Sequence, residues 1–137
     1  MTHEIKVKHT GKMGFEASVS GHQIHIDTTA ENGGDDSGPG PKKLMLVSLA
    51  GCTGLDIVSI LNKKRVNFAD FAVKAEANLT DTHPQIYDAV TITYSIKVDT
   101  QDREKVQQAV DLSFDKYCGV LKMFRGFATV EGVIEFL

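Results

Sequence analysis

Cys52 and Cys118 are the residues of this chain best suited to covalent chemistry. Cysteine is among the most buried residue types, so two inert core thiols are the plain reading of position alone. A redox pair asks for more. It needs a cation or dipole to stabilise a thiolate, a second sulfur close enough to bond, and a path for substrate. The company of Cys52 gives that reading some ground. At about 100° per helical residue, Ser48, Cys52, Asp56 and Ser59 share one narrow stripe. That stripe is a polar seam in an otherwise apolar run, and a core has no need of it. Gly51 and Gly54 lie on another side, where they would let a second backbone approach.

The remaining candidates point to structure. His22 and His25 stand three apart on an expected strand, which puts them on opposite faces, and neither cysteine has zinc-ligand spacing around it. Asp35 and Asp36 lack the spacing of a calcium loop. His83-Pro84 reads as turn chemistry, and Gly11-Lys-Met-Gly14 is too short for a phosphate loop. No Ser–His–Asp grouping can be argued from the order of residues. No metal and no cofactor are expected.

The elements that must position the cysteines follow from periodicity. Pro41–Asn62 is long enough for five turns of helix and apolar nearly all round, the pattern of a helix buried on most sides. Before it, Glu4–Thr10, then Phe15, Ala17 and Val19, then Ile24 and Ile26 alternate as three short strands joined by glycine turns. Thr28–Gly40 is a glycine-rich surface loop. After it, Phe71–Leu79 and Val90–Val98 read as strands. A second helix, capped by Asp99 or Thr100, is expected to run to about Lys122, with Val106, Ala109, Val110, Phe114, Tyr117 and Leu121 on its buried side. It would carry Cys118, with Gly119 weakening its last turn. Ala128, Val130, Ile134 and Phe136 make a closing strand, with Gly132 on the same face. The order βββ-α-ββ-α-β predicts an α+β fold, antiparallel sheets with a long buried central helix, in one domain over residues 1–137.

Charge and composition narrow the partners. A formal net charge of −3 gives no global field toward nucleic acid or acidic membranes. Lys63-Lys64-Arg65 sits where cations favour a helix C-terminus. The N-terminus lacks the apolar segment of a secretory signal, and Asp56 near midspan argues against membrane insertion of the central helix. The expected location is the cytoplasm, where two cysteines serve as buried thiols, ligands or redox groups.

Leu49-Ala-Gly-Cys52-Thr, then Asp56-Ile-Val-Ser-Ile-Leu, then Asp115-Lys-Tyr-Cys118-Gly-Val together resemble the OsmC/Ohr family of osmotically inducible and organic hydroperoxide resistance proteins. The likeness covers essentially the whole chain and places it nearer the less characterised OsmC-like branch. It implies an intertwined homodimer with active sites at the subunit interface and the central helices buried between subunits. It also implies thiol peroxidase activity in oxidative-stress defence, toward organic hydroperoxides and to a lesser degree hydrogen peroxide. On this mapping Cys52 is the nucleophile that becomes a sulfenic acid. Cys118 resolves it to a disulfide, which an external dithiol such as a lipoyl protein reopens.

The well-characterised branch holds its thiolate with an arginine from the first hairpin, paired with a glutamate in Pro-Glu-x-Leu. Here the hairpin offers Lys12 or Met13, and the helix begins Pro41-Lys42-Lys43-Leu44. A lysine supplies charge without a bidentate fork. Lys12, Lys42 and Lys43 are therefore the candidate activating cations. The alternative is a non-catalytic protein of this fold that binds a small apolar ligand at the dimer interface.

Overall fold

Alternating residues and tight turns shape the N-terminal third of the computed structural model, which describes residues 1–137. Strands β1 (Val7–Gly11), β2 (Gly14–Val19) and β3 (His22–Ile26) form an antiparallel meander in that order. Ser20 and Gly21 join β2 to β3 with φ of 50° and 82°. Positive φ at both turn residues is the type I′ geometry, which matches the twist of paired strands.

The loop beyond β3 is organised by one carboxylate. Asp27, buried, accepts from Thr28 N (2.7 Å), Asp35 N (3.2 Å), Ser37 N (3.2 Å) and Ser37 Oγ (2.5 Å). A Cβ at Gly34 would collide with the Thr28 carbonyl and the Asp27 carboxylate, so glycine permits this closure. His25 Nε2 lies 3.0 Å from Ser37 Oγ. His25, Ser37 and Asp27 thus do meet, but the serine proton goes to the aspartate and the imidazole is not positioned as its base. The grouping ties the loop together.

Contacts divide the chain into two compact units, Met1–Met45 and Leu46–Leu137. Helix α1 (Pro41–Lys63) crosses that boundary in sequence. It ends where Arg65 turns left-handed (φ 57°) and Val66 N donates back to Leu61 O at 3.0 Å, a Schellman-type stop. Within a single chain α1 is buried on one face. A single chain buries Leu49, Thr53, Gly54, Ile57 and Leu61, whereas Val47 and Leu55 remain 64% and 75% exposed. Helix α1 is long and apolar enough to cross a membrane by length and composition; in this fold its buried face joins the core of the second unit.

That core is a three-stranded sheet in the order β4 (Phe68–Leu79), β5 (Tyr87–Val98), β6 (Thr129–Phe136). Val90, Ile92, Tyr94 and Ile96 alternate inward from β5. The α+β class and the strand order are as expected, with one departure from all-antiparallel pairing. β6 lies parallel to β5, Val90 against Val130 and Tyr94 against Ile134, because the helical segment between them returns the chain to the same end of the sheet.

That helical segment is not one helix. A short 3-10 turn (Thr100–Asp102) precedes α2 (Arg103–Leu112), and neither Asp99 nor Asp102 makes a side-chain cap bond. A π turn follows over Ser113–Tyr117, the chain becomes extended at Cys118, and α3 (Gly119–Arg125) begins. The break rotates Tyr117 away from its expected buried side to 52% exposure. Arg125 holds the π turn by donating to Phe114 O at 2.7 Å.

Candidate redox site

Helix α1 and the π turn carry the two cysteines. Cys52 is half-buried on α1, one helical turn before Asp56. Cys118 is not in the last turn of one continuous helix, as periodicity suggests, but at the junction between the π turn and α3, with φ −77° and ψ 100°. Its N–H closes the π turn on Ser113 O at 3.0 Å, and its Sγ accepts from Leu121 N at 3.3 Å. A five-residue turn inserts one residue into the helical phase, and such insertions recur at functional sites.

Both cysteines are free thiols, and Cys52 is near enough to Cys118 to act on its titration. Burial first, then the neighbouring Cys52 side chain, pushes the Cys118 thiol up to about 12. The Leu121 N–H acts in the opposite sense and is outweighed, while the negative charges of Cys52 and Asp56 add to the rise. Cys118 therefore keeps its proton at neutral pH, and Cys52 is the more exposed sulfur of the pair.

Three hydroxyls fill the space beside the thiols. Tyr94 Oη and Thr53 Oγ1 lie 2.8 Å apart, Thr53 Oγ1 and Ser113 Oγ lie 2.7 Å apart, and Ser113 Oγ donates to Asp56 Oδ2 at 2.9 Å. Thr53, Tyr94 and Ser113 are fully buried, and no buried side-chain polar atom lacks a partner. Burial pushes the Tyr94 hydroxyl up to about 12, so it stays a donor. Asp56 also edges a cleft of about 320 Å³ whose walls include Ile60, Lys63, Lys64, Leu112 and Tyr117.

Residues 34–131 match the family model described as OsmC-like protein. The chain belongs to the OsmC-like family. It is 35% identical to protein YhfA of Escherichia coli over 106 residues, 77% of this chain and 76% of that protein. Among solved structures, this OsmC-like chain is similar to a hypothetical protein from Aquifex aeolicus VF5 at 28% identity and TM-score 0.85, covering 100% of this chain and 97% of that one. It is similar also to the organic hydroperoxide resistance protein OhrB of Bacillus subtilis at 18% identity and TM-score 0.64, covering 97% and 98%. At that identity the second likeness is one of fold.

Of the residues expected at the site, the fold joins Cys52 to Cys118 and Asp56 to Ser113. Ser59 lies on the same cleft as Asp56. Lys12, a candidate activating cation, is paired with Asp35 at 2.8 Å within the N-terminal unit. Thr53, Tyr94 and Ser113 were not singled out by sequence reasoning. Tyr94 did leave a signal, because it is the one hydroxyl on the inward face Val90, Ile92, Tyr94, Ile96, and a buried phenol needs a partner.

Proposed function

We propose that this protein is a thiol-dependent peroxidase that reduces organic hydroperoxides in cytoplasmic oxidative-stress defence. The observation that carries the reading is the nearness of Cys52 and Cys118, two free thiols from separate elements that act on one another's sulfur. Cys52 attacks the peroxide O–O bond, releasing the alcohol and leaving a sulfenic acid. Cys118 then displaces the sulfenic oxygen as water and forms a disulfide. Such a neighbour is what keeps sulfenic acid on the reversible side of the oxidation ladder. An external dithiol, such as a lipoyl protein, reopens the disulfide and completes the cycle.

The working unit is a homodimer in this reading. Val47, Gly51 and Leu55 recur every four residues along α1 and form an open apolar stripe that a second copy would cover.

The experiment is to mix reduced protein with cumene hydroperoxide and follow free thiols and mass. Two thiols should disappear with a loss of about 2 Da per chain. Cys52→Ser should abolish the reaction, and Cys118→Ser should leave a sulfenic or sulfinic adduct on Cys52. Thiols that persist in excess peroxide would overturn the proposal. The partly apolar cleft beside Asp56 favours one second reading, binding of a small apolar ligand without turnover. Persisting thiols together with uptake of an apolar fluorescent probe would support it.

A further inference from the structure

The buried hydroxyls beside the thiols run in one direction. An ionised carboxylate only accepts, so the single proton of Ser113 Oγ is committed to Asp56 Oδ2. Thr53 must then supply the proton between Thr53 and Ser113, and Tyr94 the proton between Tyr94 and Thr53. Three donors from β5, α1 and the π turn are thus aligned head to tail and terminate on Asp56. Aligned hydrogen bonds polarise one another, and in a buried setting they favour the charged form of the group they end on. The arrangement fixes a carboxylate in place one helical turn from Cys52. Only one of its oxygens is used by the chain, and Asp56 also borders the cleft.

A disulfide-forming step creates a need for such a group. When the Cys118 sulfur attacks an oxidised Cys52, the S–H proton has to leave, and Cys118 is buried with only 3% exposure. We propose that Asp56, fixed in place by the Tyr94–Thr53–Ser113 hydroxyl chain, accepts the Cys118 proton as the disulfide forms. For a sulfenic acid, the Cys118–Cys52 S–S bond forms as the Cys52 S–O bond breaks. The Cys118 sulfur is oxidised, the Cys52 sulfur is reduced, and Asp56 returns the proton to the departing hydroxide, giving water. The oxidant is the hydroperoxide consumed in the preceding step, so this use of Asp56 in turnover rests on the peroxidase reading.

The other titratable groups around the pair are Cys52 on α1, Tyr94 on β5 and Tyr117 on the π turn, with Lys63 and Lys64 along the cleft. Burial keeps the Tyr94 hydroxyl protonated through the neutral range. Asp56 is the one carboxylate in this set.

The test removes the dependence on peroxide chemistry. Reduced protein is treated with one equivalent of dithionitrobenzoate, which places an aryl disulfide on Cys52. Attack by Cys118 then releases a second, coloured aryl thiolate. With a carboxylate as acceptor, this second release in the wild-type protein should be flat between about pH 6 and 8, because the base is fully ionised there. In Asp56→Asn it should be about 100-fold slower at neutral pH. It should also rise about tenfold per pH unit, because hydroxide must now remove the proton. A loss of packing alone would lower the rate without changing that slope.

A wild-type release that already climbs tenfold per pH unit overturns the proposal, even if Asp56→Asn fails to fold. So does an Asp56→Asn release that stays flat at the wild-type rate. Should the release behave as expected while cumene hydroperoxide leaves the thiols intact, the peroxidase reading fails and the role of Asp56 stands.

Discussion

Cys118 lies near Cys52 at the junction of a π turn with α3, and its burial there keeps the proton on the Cys118 sulfur. Its thiol stands at about 12 against an ordinary 9.0, first because of burial and then because of the Cys52 side chain beside it. A thiol value raised by folding favours the protonated form. The matching contribution to stability is therefore complete below about pH 9 and is lost as pH rises through about 12.

Reactivity follows the same window. In Cys52→Ser, alkylation of Cys118 by iodoacetamide should be barely measurable at neutral pH and should rise about tenfold per pH unit toward pH 11. Peptide mapping by mass spectrometry reads the modification site directly. A rate that levels off by pH 9 would mean that the fold does not hold the proton on Cys118.

The sequence carried the elements more legibly than their junctions. Alternation in Val90–Val98 and the long apolar run after Pro41 are strong local signals, and both elements form with nearly the expected bounds. The stretch Asp99–Lys122 has a good helical period, yet it contains a 3-10 turn, α2, a π turn and part of α3. Those interruptions are set by tertiary contacts. Phe114 packs so closely on Gly132 that a Cβ there would lie 2.8 Å from its ring, and Arg125 anchors the Phe114 carbonyl. No residue within the segment announces that contact. Parallel pairing of β6 is similarly invisible, because the period of a strand is the same in either direction. The polar seam on α1 was legible as Cys52 and Asp56. Its partners Ser113 and Cys118 needed the π turn to bring them into register.

Thr53 tests the direction of the hydroxyl chain. Thr53→Val keeps the shape but leaves the buried Tyr94 O–H with no acceptor, at a cost of about 1–3 kcal/mol in unfolding free energy. Tyr94→Phe removes the first donor and strands no proton, so it should cost only about 0.5–1.5 kcal/mol for that bond. The double variant should lose less than the sum, since the orphaned donor is then gone. Denaturant titration measures all three. A Tyr94→Phe loss larger than that of Thr53→Val would mean the protons run the other way.

Leu55 tests the open face of α1. It is 75% exposed and stands two turns from Val47, 64% exposed, with Gly51 between them. A guanidinium at Leu55 would have to be desolvated against apolar side chains if a second copy covers this stripe. Leu55→Arg should therefore shift the protein from dimer to monomer in light scattering while leaving its circular dichroism intact. A variant that keeps the wild-type mass at micromolar concentration would exclude this stripe as the dimer contact.

Asp27 governs the acid behaviour of the loop before α1. Ser37 Oγ and the Thr28 N–H hold its carboxyl at about 2, below the ordinary 3.8, with the Ser37 and Asp35 N–H groups adding to the effect. A depressed carboxyl stabilises the folded form above about pH 4, and that contribution disappears as pH falls through about 2. Asp27→Asn can accept with only one oxygen, so it should melt at lower temperature than wild type at neutral pH. The two melting curves should then converge between pH 4 and 2, because the wild-type carboxyl is protonated there and the amide is not titrated. Amide exchange at Asp35 and Ser37 should speed up over the same interval in the wild-type protein alone. If the two proteins instead keep a constant difference in melting temperature down to pH 2, the carboxylate charge is not what closes the loop, and the close packing at Gly34 has to account for it.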